Sequence, residues 1–273
     1  FSAIIVRQGV NEMKYRLICF DLDGTLYRGD EPVEYAAEFV SLLHKRNIPY
    51  AAVTNCPMRA PEETAARLEK MGIPVPAERV ISSGMTAARV LAERGEKSVY
   101  VVGSPALKKE CEGRGMIVSQ NASAVLIGFD KGITYEDMDT ACKLAMDGAR
   151  LYCTNTDPVI PQGGRLIPHT GAIAAMAEYA VKKRCIYIGK PEKYMMQDCM
   201  RIFAAQGAYA EKSEIYVVGD RADTDMAFAR NCGVNGCMVL TGTGTRKEAM
   251  DAGIPGEYIF QNLARLKERL LEN

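Results

Sequence analysis

Two aspartates stand at the end of an apolar run near the start of the chain. Asp21 and Asp23 follow segment 15–20 and are followed by Gly24 and Thr25. A carboxylate at the end of a buried strand is costly unless a cation or a hydrogen-bond donor uses it. One aspartate can attack phosphorus to form an aspartyl-phosphate, and a second can act as general acid and then general base. Because side chains two apart on a strand share a face, Gly24 is expected to permit the turn that separates the two roles.

Three further polar clusters come directly after strand-like segments. They are Thr54-Asn55, Gly189-Lys190-Pro191, and the run from Gly219 to Asp225, which also contains Asp220 and Asp223. In an open parallel sheet, ligands bind at the carboxyl ends of the strands. If the four strands are neighbours in one sheet, the four clusters converge into a single site.

The residue types in this site favour a hard cation together with a phosphate. Clustered carboxylates repel one another, and oxygen ligands select an ion such as Mg²⁺. The sequence has no His/Cys cluster that would indicate zinc. Lys190 can hold a phosphate and an aspartate in their charged forms. Thr54, Asn55 and exposed backbone N–H groups can bind phosphate oxygens.

Strand-like and helix-like segments alternate along the chain, which predicts parallel sheets covered by helices. The predicted strands are 15–20, 50–54, 98–102, 124–129, 151–153, 186–188, 215–218 and 237–240. We expect two α/β layers, because this many elements would crowd a single sheet. Thr134-x-x-Asp137 resembles a capping box at a helix start. Segment 156–169, which is rich in proline and glycine, is predicted to be an irregular loop.

The motifs DxDGT, TN, GKP and GDxxxxD, in this order, resemble those of the haloacid dehalogenase (HAD) superfamily of phosphohydrolases. Between TN and GKP, the segments AVLIGFD (124–130), YCTNTDP (152–158) and HTGAIAAMAEYA (169–180) look like the cap of the type IIA subgroup. That subgroup includes NagD-like proteins, 4-nitrophenylphosphatases and pyridoxal-phosphate phosphatases. The resemblance implies an α/β fold with a Rossmann-like parallel-sheet core and an inserted α/β cap. The expected boundaries are 13–82 and 186–273 for the core and 83–185 for the cap.

The resemblance also implies roles for the acidic residues. Asp21 matches the nucleophile and a Mg²⁺ ligand. Asp23 matches the acid/base, with its backbone carbonyl on the metal. Asp220 matches the direct Mg²⁺ ligand. Asp225 matches the second acidic position, which acts through water, and Asp223 is the alternative to it.

Thr54 and Asn55 match the phosphate-binding motif, and Lys190 matches the lysine that neutralises the nucleophile and the phosphate. The implied reaction is Mg²⁺-dependent hydrolysis of a small phosphomonoester through phosphorylated Asp21. Sugar phosphates, phosphoglycolate, nucleotides and pyridoxal phosphate are all candidate substrates. There are two alternatives. One is a phosphomutase with the same chemistry, and the other is a poorly catalytic metabolite-binding or regulatory protein on the same fold.

Three residues of the predicted cap, Asn155, Asp157 and His169, are candidates for contacting the leaving group, and each could equally be structural. Cys56 stands where the subgroup usually has a second asparagine. Its thiol could have a pKa lowered by Lys190 and Mg²⁺, which would make the enzyme sensitive to oxidation. The alternative is an inert, half-buried cysteine.

The composition limits the class of partner. The 273 residues contain 34 Lys+Arg and 34 Asp+Glu. This balance argues against broad electrostatic binding to nucleic acid or to an anionic membrane. No apolar stretch approaches the ~18 residues of a membrane span. Nine cysteines without a CxxC pair favour reduced thiols and a cytoplasmic protein.

The first twelve residues are not typical of a signal peptide. We interpret segment 1–12 as an added or upstream extension, because Met13 stands just before the first strong strand. The resemblance leaves a homodimer possible.

Overall fold

The computed structural model describes residues 17–162 and 164–271. Segment 1–12, Met13 and the first two residues of the predicted strand 15–20 lie outside the described residues. The strands are β1 Leu17–Phe20, β2 Tyr27–Arg28, β3 Glu31–Pro32, β4 Tyr50–Thr54, β5 Val80–Ser82, β6 Ser98–Val102, β7 Ile117–Val118, β8 Ala124–Ile127, β9 Arg150–Cys153, β10 Val159–Gln162, β11 Arg165–Pro168, β12 Ile186–Tyr187, β13 Ile215–Gly219, β14 Asn235–Val239 and β15 Ile259–Phe260. The helices are α1 Ala36–Lys45, α2 Pro61–Lys70, α3 Ser83–Glu93, α4 Pro105–Gly113, α5 Tyr135–Met146, α6 Thr170–Val181, α7 Tyr194–Ala205, α8 Ala227–Cys232, α9 Arg246–Asp251 and α10 Leu263–Leu271.

The core is a parallel sheet with strand order β15-β14-β13-β1-β4-β5. All of β1 is buried, because helices cover both faces of the sheet. On one face Phe20 packs in an apolar cluster with residues of α1 and α10. On the other face Leu17 packs with residues of α7 and α8. The carboxyl ends of β13, β1 and β4 therefore lie side by side.

The cap is a second parallel sheet, with strand order β12-β9-β8-β6-β7. Leu126 on one face of β8 packs in a cluster with residues of α3 and α4. Val125 on the other face packs with residues of α5 and α6. The predicted α/β fold, with a Rossmann-like core and an α/β cap, is confirmed. Within the described residues, none of the helices combines the length and apolar character needed to cross a membrane.

Side-chain caps are present at the starts of α5 and α4, and the cap at α5 was predicted from the sequence. The capping box is present at α5: the Thr134 hydroxyl accepts from the Asp137 backbone N–H, and the Asp137 carboxylate accepts from Thr134 N–H. At α4, the Ser104 side chain accepts from the backbone N–H of Leu107, and Pro105 follows at the first helical position. Both patterns satisfy backbone donors that the helix itself leaves unpaired.

Two expectations about the cap are wrong. We placed segment 186–188 at the start of the second core segment, but Ile186–Tyr187 pairs in parallel with β9 of the cap sheet. A short apolar run shows that a strand is buried but not which sheet it joins. We also expected an irregular loop at 156–169, yet β10 and β11 form an antiparallel hairpin there. A two-stranded ribbon has only edge strands, where proline is tolerated.

A buried ion pair joins the helices that connect core and cap. Helix α3 follows core strand β5, and α7 follows cap strand β12. Arg89 on α3 contacts Asp198 on α7, with 2.8 Å between Nε and Oδ1. The Asp198 Oδ2 atom also accepts from the Thr86 hydroxyl at 2.7 Å. The side chains of Arg89 and Asp198 are only 2% and 8% exposed.

Replacing Asp198 with alanine should therefore destabilise the fold strongly. Removing one partner of a buried ion pair leaves the other charge uncompensated. Because Arg89 keeps a contact with Glu93, we expect a loss of about 3 kcal/mol in the free energy of unfolding, measured by urea denaturation. Arg201→Ala is the matched control. Arg201 also contacts Asp198, but its side chain is 57% exposed, so the loss should stay below about 1 kcal/mol. Equal losses in the two variants would contradict this account.

Candidate active site

The four predicted clusters converge, but one arrives by an unexpected route. Asp21 follows β1, Thr54 ends β4 and Asp220 follows β13, which are neighbouring core strands. Lys190 instead follows β12 of the cap sheet. The segment that leaves this strand turns back to the core, where the backbone N–H of Lys190 donates to Asn55 Oδ1 at 2.8 Å.

Three carboxylates form the centre of the site. Ligand oxygens of Asp21, Asp220 and Asp225 all lie within 4.8 Å of one another. Asp225 lies on a π-helical turn, Ala222–Met226, just after β13. The side chain of Asp223 is 69% exposed and is not part of this group. Of the two alternatives for the second acidic position, Asp225 is therefore the one that lies with Asp21 and Asp220.

Lys190 lies against this cluster and is almost fully buried. Its Nζ atom is 2.5 Å from Asp21 Oδ1 and 2.7 Å from Asp225 Oδ1. It also donates to the Val53 carbonyl at 3.1 Å. Burial alone would lower the pKa of Lys190, but Asp21 and Asp225 raise it above its ordinary value. The ammonium therefore stays charged.

The carboxylates fit a hard cation. Asp220 Oδ2 accepts from the backbone N–H of Thr243 at 2.8 Å, whereas its buried Oδ1 has no hydrogen-bond partner among the described residues. Burial, with a further contribution from Asp225, raises the pKa of Asp220 to about 6. Burial also raises the pKa of Asp21, and Lys190 opposes that rise. A divalent cation bound by these oxygens would satisfy the unpartnered atom and offset the mutual repulsion.

Glycines allow the loops to close around Asp220. Gly24 has φ +86°, in the left-handed region, and a Cβ there would lie 2.6 Å from the carboxyl carbon of Asp220. A Cβ on Gly242 would overlap Asp220 Oδ2. The turn expected at Gly24 is present, and a side chain at either position would displace Asp220.

Asp23 lies immediately before the turn at Gly24, and its side chain is exposed rather than part of the acidic cluster. The protein packed around the carboxyl still desolvates it enough to raise its pKa, which Arg67 and Arg59 oppose. A carboxyl with a raised pKa is suited to donating a proton. This placement is compatible with a metal contact through the backbone carbonyl but not through the side chain.

Asn55 holds the lysine segment in place. Its Oδ1 accepts from Lys190 N–H, and its Nδ2 donates to the Lys190 carbonyl at 3.0 Å and to Asp157 Oδ2 at 3.0 Å. Thr54 accepts from the backbone N–H of Cys56 through its hydroxyl at 3.1 Å. Because the Asn55 amide is committed to protein partners, a contact from this residue to phosphate would come from its backbone.

Two of the three cap candidates, Asn155 and Asp157, connect cap to core, and His169 packs within the cap. Asn155 is fully buried, and its Nδ2 donates to the Asn55 carbonyl at 2.7 Å. Asp157 Oδ1 pairs with Arg221 Nη1 at 2.8 Å. His169 is buried, and the centroid of its ring lies 4.3 Å from the centroid of the Phe129 ring. These contacts favour the structural alternative for all three residues, and the predicted contact with the leaving group stays a prediction.

Arg221 was missed by sequence reasoning. The available signal was its position inside the acidic motif, where an arginine between aspartates is expected to pair with a carboxylate. It reaches both Asp157 in the cap and Asp223 beside it, the latter at 2.7 Å.

The surroundings of Cys56 do not favour the acidic thiol that the sequence suggested. Burial raises the pKa of Cys56 above its ordinary value, and the backbone of Met58 and the charge of Arg59 lower it only in part. The Arg59 guanidinium lies 3.8 Å from the Cys56 sulfur. The half-buried, inert cysteine is the alternative that this environment favours.

The buried His169 should make the fold sensitive to acid. Burial lowers the pKa of His169 below its ordinary 6.5, although Asp157 opposes this. Below pH 6.5 the unfolded chain binds a proton that the folded chain does not. Stability should therefore fall as pH drops from 6.5 towards the folded pKa, by at most about 1.4 kcal/mol for each pH unit between the two. In His169→Gln, the melting temperature should change less between pH 7.5 and pH 5.5 than in the wild type. An unchanged pH dependence would contradict this reading.

Comparison with known proteins gives a consistent family. Residues 18–117 match the model of a haloacid dehalogenase-like hydrolase, and residues 187–266 match a HAD-hydrolase-like model. The chain is 32% identical to the acid sugar phosphatase of Staphylococcus saprophyticus, over 94% of this chain and 98% of that protein. It is 34% identical to the 5'-nucleotidase YutF of Bacillus subtilis, over 87% and 91% of the two chains.

Solved structures agree. The 4-nitrophenylphosphatase of Thermotoga maritima superposes with a TM-score of 0.85 at 30% identity, over 94% of this chain and 98% of that chain. NagD of E. coli K-12 superposes with a TM-score of 0.82 at 27% identity, over 92% and 97%. With its motifs converging at one sheet edge beneath an α/β cap, the chain belongs to the haloacid dehalogenase-like hydrolases, in the type IIA group of NagD and the 4-nitrophenylphosphatases.

Proposed function

We propose that this protein is a Mg²⁺-dependent phosphatase that hydrolyses a small phosphomonoester through an aspartyl-phosphate on Asp21. The observation that carries the proposal is the buried Lys190 ammonium, 2.5 Å from Asp21 and 2.7 Å from Asp225, beside the unpartnered Oδ1 of Asp220. A buried site with one cation and three carboxylates is suited to a divalent metal and a phosphoryl group.

The relatives support the substrate class. Their names describe enzymes that act on sugar phosphates, on 5'-nucleotides and on 4-nitrophenyl phosphate. These compounds share a phosphomonoester and differ in the leaving group. We therefore propose a small phosphomonoester for this chain, and sugar phosphates and nucleotides are the first compounds to test.

The chemistry follows from the side chains at the sheet edge. An oxygen of Asp21 would attack phosphorus in line with the leaving oxygen, while Lys190 offsets the negative charge of both groups. Asp23 would donate its proton to the leaving alcohol. It would then take a proton from the water that attacks phosphorus and releases phosphate, which restores both aspartates.

Mg²⁺ would be held by Asp21, Asp220 and the backbone carbonyl of Asp23, and through water by Asp225. It would supply charge that stabilises the transferring phosphoryl group.

The remaining assignments are also proposals. Thr54 and Asn55 would bind the phosphate. Asn155, Asp157 and His169 would lie on the cap side of the site, where a contact with the leaving group is the alternative to the structural role that their protein partners favour. The domain boundaries would be 13–82 and 186–273 for the core and 83–185 for the cap, although strand β12, at the start of the second core segment, pairs with the cap sheet. We also propose a cytoplasmic location and a homodimer.

Phosphate release from a panel that includes 4-nitrophenyl phosphate tests this function. The wild type should release free phosphate with Mg²⁺, and EDTA should abolish the release. Asp21→Asn should lower turnover at least about 10³-fold, because the amide cannot act as nucleophile. Asp251→Asn, an exposed aspartate on α9, is the control and should match the wild type. An active Asp21→Asn variant would contradict the nucleophile assignment, and turnover without free phosphate would point to the phosphomutase.

The glycine at the DxDGT turn offers a second test. In Gly24→Ala, the new Cβ would push against the Asp220 carboxyl, so we expect kcat to fall more than about 10-fold. Gly72→Ala is the matched control. Gly72 has a similar φ of +75°, but nothing lies within 4 Å of a Cβ there. It should lose only about 1 kcal/mol of stability through backbone strain and keep its activity. Equal losses of activity in the two variants would show that strain, rather than displacement of Asp220, is responsible.

A further inference from the structure

A closed circuit of hydrogen bonds runs through cap and core beside the acidic cluster. Its members are Lys190, Asn55, Asp157, Arg221 and Asp225, and we call it the polar circuit. It begins at the backbone of Lys190 and returns to the ammonium of the same residue.

The first half of the circuit joins Lys190 to the cap. Asn55 clamps the backbone of Lys190, accepting from its N–H at 2.8 Å and donating to its carbonyl at 3.0 Å. The Asn55 amide then donates to Asp157 Oδ2 at 3.0 Å. Asp157 lies between cap strand β9 and the β10–β11 hairpin.

The second half returns to the lysine through residues 221–225, which follow strand β13. Arg221 Nη1 lies 2.8 Å from Asp157 Oδ1. The backbone N–H of Arg221 donates to Asp225 Oδ2 at 3.2 Å, and Asp225 Oδ1 accepts from Lys190 Nζ at 2.7 Å. Both oxygens of Asp157 and both oxygens of Asp225 are therefore used within the circuit.

We propose that Asp157 and Arg221 are positioning residues. They couple the position of the cap segment 154–158, between β9 and β10, to the placement of the Lys190 ammonium and Asp225. This inference rests on the proposed phosphatase function. Asp157 acts through its partners and does not touch the reacting atoms.

The burial of the pair explains why it matters. The side chain of Asp157 is 6% exposed and that of Arg221 is 29% exposed. Arg221 also contacts Asp223, whose side chain is 69% exposed. Without Asp157, Asp223 is the one hydrogen-bond partner that the guanidinium keeps among the described residues, and the guanidinium is drawn towards solvent. The backbone N–H of Arg221, which donates to Asp225 Oδ2, is then no longer fixed by the ion pair with Asp157. Asn55 also loses its hydrogen bond to the Asp157 carboxylate.

The expected kinetic signature separates positioning from substrate contact. A displaced Lys190 and Asp225 weaken stabilisation of the transition state, which lowers kcat. The Michaelis constant should change little, because neither Asp157 nor Arg221 contacts the bound ester. If Asp157 instead contacted the leaving group, its loss would raise KM and would not depend on Arg221.

The test is a double-mutant cycle with Asp157→Asn, Arg221→Gln and the double variant, assayed with 4-nitrophenyl phosphate and Mg²⁺. Each single variant should lower kcat about 10-fold to 100-fold with KM within about 3-fold of the wild type. The double variant should fall little further than the worse single variant, because both changes break the same connection.

Glu96→Gln is the matched control. Glu96 is a buried cap carboxylate, 1% exposed, and it pairs with the partly exposed Arg150 at 2.7 Å. This pair lies at the amino ends of β6 and β9, away from the site. The variant should lower the melting temperature and leave kcat unchanged. A fall in kcat that matches that of Asp157→Asn would assign both effects to general destabilisation and overturn the proposal.

Hydrogen–deuterium exchange gives a readout that does not depend on turnover. The amide of Lys190 and residues 220–226 should exchange faster in Asp157→Asn than in Glu96→Gln. Unchanged exchange, unchanged kcat or multiplicative losses in the double variant would each overturn the proposal. If the wild type released no phosphate from any ester, the proposed function would fail, and the exchange comparison would still decide whether the circuit positions these groups.

Discussion

The buried Lys190 ammonium between Asp21 and Asp225 is the interaction on which the site depends. Three carboxylates whose oxygens lie within 4.8 Å of one another would repel strongly without a cation beside them. Lys190 is 2% exposed, so solvent does little to screen its attraction to the two acids. The same low polarity that makes an unpaired carboxylate costly makes this pairing strong.

The two sheets together hold these charged side chains in place. Parallel strands β13, β1 and β4 bring Asp220, Asp21 and Thr54 to one edge, while the apolar faces of the core fix their spacing. The lysine comes from the other sheet, so the site is complete only where the chain returns from cap to core. Asn55 makes this junction specific, because its amide recognises both the N–H and the carbonyl of Lys190.

The sequence carried the local part of this account better than the non-local part. Strand β4 and the capping box at Thr134 were predicted because spacing and residue type determine them over a few residues. The sheet that β12 joins was mispredicted, because its apolar pattern fits either sheet. The motifs located Asp21, Lys190 and Asp220, since a charge beside an apolar strand requires a partner. The partner of Arg221 in the cap, Asp157, is 64 residues away along the chain, and the pKa of Cys56 depends mainly on how the fold buries the thiol. Spacing reveals neither of these.

The most direct measurement traps the covalent intermediate. The enzyme is mixed with 4-nitrophenyl phosphate and Mg²⁺ and quenched within one turnover. It is then treated with borohydride, which reduces an acyl phosphate to an alcohol, and peptides are read by mass spectrometry. The account predicts homoserine at position 21, only when substrate is present. An active enzyme that keeps an unmodified Asp21 under conditions in which a known aspartyl-phosphate is trapped would contradict it.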